Sequence, residues 1–251
     1  MITTLNALLL VGAGIIAGVM GSAGGITSLI SYPALLAIGI PPLPANVTNA
    51  VALAASLPGS ALGSRLELKG QGPWVRRWAL TAVLGGVVGV ALLLVTPDRV
   101  FNRIVPFLLA SAALVLLAQP RISRWHEGRL NRDNQHLLRG GLFVVCIYGG
   151  YFGAGSGIMV LALLLLTVDQ EFARANALKN VLLGVETVAV AVAFLLFGPV
   201  HVEAALLVGA GLLVGSFFGP AVARRVPGNV MRVLAALLGL GLAVWLWVAH
   251  G

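Results

Sequence analysis

The sequence predicts an all-α polytopic membrane protein made of two inverted repeats, each a re-entrant or broken helical hairpin followed by three transmembrane helices. Three observations predict it. The 251 residues are 59% hydrophobic and 10% charged, with mean hydropathy +1.00, so too little polar surface exists to coat a soluble globule. Two apolar segments, 5–40 and 138–168, are longer than one membrane crossing needs. Each carries a glycine cluster near its middle, at 21–25 and 153–157.

Apolar runs between charge and Pro/Gly punctuation define the elements in order. Repeat 1, residues 1–119, holds a hairpin at 5–40 and spans at 45–63, 75–95 and 101–119. A cytoplasmic linker occupies 120–137, and repeat 2, residues 138–251, holds a hairpin at 138–168 and spans at 173–197, 202–222 and 229–249. A continuous helix over 5–40 would be roughly 54 Å long against a hydrocarbon core of about 30 Å, so the segment has to break. The glycines mark the break, leaving either two half-length arms that enter and leave on one side or one tilted, kinked span.

Charge placement chooses between these. Lys and Arg in short loops favour the cytoplasm. Loops 64–77 (Arg65, Lys69, Arg76, Arg77) and 120–139 (Arg121, Arg124, Arg129, Arg132, Arg139) are two spans apart and both fit inside. With two hairpins, Arg174, Lys179, Arg224, Arg225 and Arg232 fall inside as well, and only Arg99 and Arg103 stay outside. Both termini are then outside.

The halves align at an offset near 130 residues: Gly21 with Gly153, Gly25 with Gly157, Thr48-Asn49 with Lys179-Asn180, Gly89 with Gly215, Pro97 with Pro227. Three crossings per half start the second copy on the opposite face, which makes the repeats inverted. Such repeats, with interrupted helices meeting near the midplane, are a recurrent transporter design.

The net charge of +8 does not indicate nucleic acid, because the basic residues sit in short inter-span segments without interleaved aromatics. Cys146 is the only cysteine, which excludes an intrachain disulfide and argues against a Cys-based metal cluster. No Walker A pattern occurs, so ATP-driven transport by this chain alone is excluded, and neither cofactor nor metal is expected. Residues 5–20 lack a preceding Lys or Arg and run on into apolar sequence, so they read as mature protein rather than a signal peptide.

Gly21-Ser22-Ala23-Gly24-Gly25 followed by Tyr32-Pro33-Ala34-Leu35-Leu36, then Thr48-Asn49, Tyr151-Phe152-Gly153-Ala154-Gly155-Ser156-Gly157 and Ala177-Leu178-Lys179-Asn180, resembles the TauE/SafE family of sulfite exporters over nearly the whole chain. Ala23 stands where the family's first cluster usually has glycine. The resemblance implies an integral membrane transporter of bacterial type for sulfite, sulfoacetate or other sulfur-containing organic anions.

An anion in a bilayer is costly to hold unless donors replace its water. Exposed N–H groups at a helix N-terminus supply donors without a full charge. The returning arms are expected to start near Gly24-Gly25-Ile26 and Ser156-Gly157-Ile158, aiming both N-termini at one oxyanion, with Ser22 and Ser156 adding hydroxyls. Substrate-binding candidates are therefore Gly21, Ser22, Ala23, Gly24, Gly25, Gly153, Ala154, Gly155, Ser156 and Gly157, with Thr48, Asn49, Lys179 and Asn180 from the following spans. The competing reading gives the glycines to close helix packing and the asparagines to interhelical contacts. For Lys179 it is snorkelling to the cytoplasmic surface. Glu186, two turns beyond Lys179, either pairs with it or carries a coupling proton.

The expected function is secondary transport of a small oxyanion or organosulfonate by alternating access, in the export direction. An anion channel would use the same tips as a filter. An intramembrane hydrolase would have only Ser156 and His201 to work with, outside any G-x-S-x-G elbow; no catalytic residue is assigned. The expected partners are the anion and the lipid bilayer, with a homodimer allowed.

Overall fold

The structure is a computed structural model describing residues 2–125, 135–168 and 171–223, with positions 237, 240, 241, 244 and 247. Among the described residues there are ten helices and no strand. Four are long and apolar enough to cross a membrane. The predicted span at 229–249 lies outside the described residues apart from those isolated positions, as do Arg224, Arg225 and Arg232.

The first long segment becomes α1 (Thr4–Gly24) and α2 (Ser28–Ala37). Thr3 caps α1 by accepting from Asn6 N at 3.3 Å. Gly25 ends it in the left-handed region, at φ 80°, with its N–H on Gly21 O. The break thus falls at 25–27, starting at the last residue of the cluster and not at its centre, and the arms are unequal. At 1.5 Å per residue α1 is about 31 Å long and α2 about 15 Å. The small residues 21–24 are compatible with helix and remain helical, since only Gly25 takes the conformation that stops it.

The second segment gives α7 (Gln135–Tyr151) and α8 (Ser156–Thr167) around a turn whose Gly155, at φ 83°, is the α8 N-cap. The chain reverses there: a Cβ on Gly141 of α7 would lie 2.9 Å from the Leu163 side chain of α8.

Between the hairpins, the predicted span at 45–63 is two helices, α3 (Pro42–Leu53) and α4 (Ser56–Gly63). Pro58 cannot donate to the Ala54 carbonyl one turn earlier. The chain tightens there, with Ala54 and Ala55 N–H reaching Val51 and Ala52 O instead. α5 (Gly72–Leu94) follows, and α6 (Asp98–Trp125) extends beyond the apolar 101–119 into polar sequence at both ends. In the second half, α9 (Phe172–Phe197) is continuous and α10 (Val202–Ala223) follows it.

Glycine rows set the packing. Gly14 faces Gly211, Gly18 faces Leu212 and Ser216, and Gly219 faces Val19 and Ser22, so α1 and α10 run parallel in close contact. Gly85 faces Phe143 and Cys146, and Gly89 faces Gly150 and Tyr151, so α5 and α7 do the same. Each hairpin's first arm is therefore clasped by a helix of the other half. α4 also runs parallel to α10, with Gly59 against Leu213 and Gly63 against Phe217. α9 runs opposite to α3 and α4, with Gly184 against Leu57 and Gly198 against Val47.

Candidate functional site

The two glycine turns touch. A Cβ on Gly25 would lie 2.7 Å from the Gly157 carbonyl carbon, and one on Gly157 would lie 2.8 Å from Gly25 Cα. No side chain caps α2 at Thr27 or α8 at Gly155, and the first N–H groups of a helix have no partner within it. Beside this contact is a cavity of about 90 Å³, lined by both turns, α3–α4 and α9.

Gly21, Ser22, Gly25, Gly153, Ser156, Gly157, Asn49, Lys179, Asn180 and Glu186 line it. Their chemistry departs from the expectation at the first tip. Gly21 and Ser22 lie at the C-terminal end of α1, so they present carbonyls rather than N–H groups. Ser22 O accepts from Asn176 Nδ2 at 2.8 Å and Asn180 Nδ2 at 3.0 Å, and Gly21 O accepts from Lys179 Nζ at 3.2 Å. Lys179 is 2% exposed, with its second bond to Asn176 Oδ1 at 2.8 Å. It does not snorkel; its ammonium sits where the negative end of the α1 dipole is strongest.

Both candidate hydroxyls are directed within their own hairpins. Ser22 Oγ donates to Gly18 O at 2.6 Å and Ser156 Oγ to Gly153 O at 2.8 Å. Asn49 donates through Nδ2 to Ser28 Oγ at 3.1 Å and accepts from Ser31 Oγ at 2.5 Å, tying α3 to α2. Thr48 does not line the cavity, and its hydroxyl accepts from His201 N at 3.0 Å. Ala23, Gly24, Ala154 and Gly155 are outside the lining too. Ala154 O accepts from the Tyr148 hydroxyl at 2.7 Å, and Gly155 packs on Ala112.

Glu186 is 3% exposed and makes no ion pair with Lys179; its Oε2 accepts from the Thr187 hydroxyl at 3.2 Å. Among the described residues no group of three His, Cys, Asp or Glu side chains gathers that would hold a metal ion.

Two residues outside the expected set anchor the site. Asn176 holds Ser22 O, and Asn46 Nδ2 donates to Tyr151 O at 3.0 Å, so each half sends an amide to the end of the other half's first hairpin arm. Their signal was in the sequence: they sit at the repeat offset of about 130, roughly one turn before Asn49 and Asn180.

Comparison with known proteins gives relatives named as membrane transporters. The chain is 28% identical over 243 residues to "Probable membrane transporter protein ORF9" of a Sinorhizobium species, covering 92% of this chain and 88% of that one. It is 27% identical over 232 residues to a "Probable membrane transporter protein" of Haemophilus influenzae, covering 90% and 88%. No solved structure matches. The model of the family described as "Sulfite exporter TauE/SafE" matches residues 7–246, which with the apolar helices identifies a multi-pass membrane transporter: the chain belongs to the sulfite exporter TauE/SafE family.

Proposed function

We propose that this protein is a secondary transporter that exports a small oxyanion or organosulfonate, of sulfite or sulfoacetate type, across a bacterial-type cytoplasmic membrane by alternating access. The observation that carries the reading is the backbone contact of Gly25 with Gly157, which brings two uncapped helix N-termini to one polar cavity. Such N-termini replace the water of an anion without a full positive charge. A cavity of about 90 Å³ suits an ion of a few heavy atoms, far below the 300–1,000 Å³ or so of sites for drug-sized ligands.

Helix directions support inverted hairpins. α1 and α4 both run parallel to α10, and segment 1 would have to reverse that relation if it crossed once. α9 runs against α3–α4; three successive crossings between α4 and α9 would make them parallel, whereas two spans and a returning hairpin make them opposed. Basic loops then favour both termini outside. The two halves clasp each other's hairpins, so rocking one half against the other would expose the cavity to each face in turn.

The test is counterflow of radiolabelled sulfite in liposomes containing the purified full chain. Saturable uptake, accelerated by sulfite on the opposite side, is expected. Conductance far above carrier turnover would replace the carrier with a channel, and no sulfite movement would remove sulfite as the substrate.

A further inference from the structure

Glu186 supplies an observation that anion binding by the hairpin tips does not use. Its carboxyl lines the same cavity, yet Oε1 is buried without a hydrogen-bond partner. The walls around it are glycines: a Cβ on Gly86 would lie 2.8 Å from Oε1, and one on Gly149 would lie 3.1 Å away. They make room for the carboxyl and offer it no donor.

The surrounding titratable and charged groups do not compensate a negative charge. From α5 the neighbour is Gly86, and from α7 it is Gly149, with the buried Cys146 thiol one turn earlier. From α8 the neighbour is Ser156, whose proton goes to Gly153 O. On α9 itself, Thr187 serves Oε2 only, and Lys179 is held by Gly21 O and Asn176 Oδ1. A carboxylate in that place is under-solvated, and an anion entering the same cavity adds a second negative charge to one low-dielectric space.

We propose that Glu186 takes up one proton from water on the open side as the anion enters, so that anion and proton cross together. This rests on the anion-transport reading. The proton resides on Oε1, turning an acceptor without a partner into an O–H donor facing the cavity, and leaves to water with the anion on the other side. Net flux then follows the sum of the two gradients: export is driven by anion accumulated inside and opposed by an inward proton gradient.

The test uses full-length protein in liposomes with radiolabelled sulfite and a step of one pH unit, acid outside. Wild type is expected to accumulate sulfite about tenfold above its distribution without the step. A protonophore should abolish this, and protein-free vesicles give the passive background. E186Q should lose the pH-driven accumulation, whatever its rate of exchange. If E186Q proves inactive or fails to fold, E186D, which keeps a titratable carboxyl, must restore the response. Accumulation that persists in E186Q overturns the assignment, as does an E186D as unresponsive as E186Q, or dependence on a sodium gradient in place of the pH step. Wild type that exchanges sulfite without answering the pH step refutes proton coupling alone; wild type that moves no sulfite takes down the anion reading and this inference with it.

Discussion

Gly157→Ala is the sharpest perturbation of the site. Gly157 lies inside α8, where alanine is favoured intrinsically, so the substitution adds nothing but a methyl group at the contact of the two turns. That Cβ would lie 2.8 Å from Gly25 Cα and 2.9 Å from Gly25 O. Carbon atoms pack at about 3.5–4.0 Å, so the turns must separate by roughly 1 Å. Backbone donors set for an anion at about 2.9 Å then stand near 3.9 Å, beyond hydrogen-bonding range. Bonds to a charged group contribute about 1.5–3 kcal/mol each, so losing two weakens binding by roughly 3–6 kcal/mol, at least about a hundredfold in affinity. Sulfite counterflow as a function of concentration measures it. Gly24→Ala is the matched control, since its Cβ would meet nothing within 4 Å. Wild-type affinity in Gly157→Ala, with both variants folded, would refute the idea that the turns jointly form the site.

Further outcomes follow from the packing. Asn176→Ala strips Ser22 O and Lys179 of a partner and should lower stability by about 1–3 kcal/mol, read as a fall in melting temperature in detergent; Asn46→Ala should do the same through Tyr151 O, a single bond, with a smaller fall. Lys179→Met takes from Gly21 O one of its two donors, leaving only Gly25 N–H, and removes the buried positive charge, so anion affinity and melting temperature should fall together. Gly18→Val drives a side chain to within 2.7 Å of Leu212 O, and separation of α1 from α10 should appear as loss of monodisperse protein on gel filtration. Ser156→Ala should change sulfite affinity by less than about threefold, because its hydroxyl bonds Gly153 O within the turn.

Helix positions were well marked in the sequence where length and apolar composition decide them. The spans at 173–197 and 202–222 correspond to α9 (Phe172–Phe197) and α10 (Val202–Ala223) within a residue at each end. Hydropathy marks where lipid ends, however, and not where a helix ends, which is why α6 runs on through polar residues to Trp125. The predicted span at 45–63 runs through Pro58, whose effect falls a turn upstream, where Ala54 O accepts from Leu57 N at 3.3 Å in place of an N–H from residue 58. The glycines of the chain carried two meanings at once. Gly14, Gly18, Gly211 and Gly215 serve helix packing, whereas Gly25 and Gly155 serve turns; sequence spacing alone does not separate these uses.

Placing the break three or four residues too early changed the chemistry of the first tip. With a turn at 21–25, Gly21 and Ser22 would precede a returning helix and offer N–H groups to an anion. With the turn at 25–27 they end α1, and their carbonyls draw the amides of Asn176 and Asn180 and the ammonium of Lys179. The lysine that looked like a direct anion ligand is thus first a clamp on the end of a helix, pinning α1 to α9. Its charge still borders the cavity, but two acceptors already hold it. The N–H groups just beyond Gly25 and that of Gly157 remain the donors with least competition for an anion, whereas Ser156 N–H is held by Gly153 O. Removing Lys179 would therefore act on both the clamp and the field, whereas separating Gly25 from Gly157 moves the donors and leaves the bonds of Lys179 in place. Comparing Lys179→Met with Gly157→Ala distinguishes the two contributions: affinity lost in Gly157→Ala, with the lysine still present, belongs to the tips.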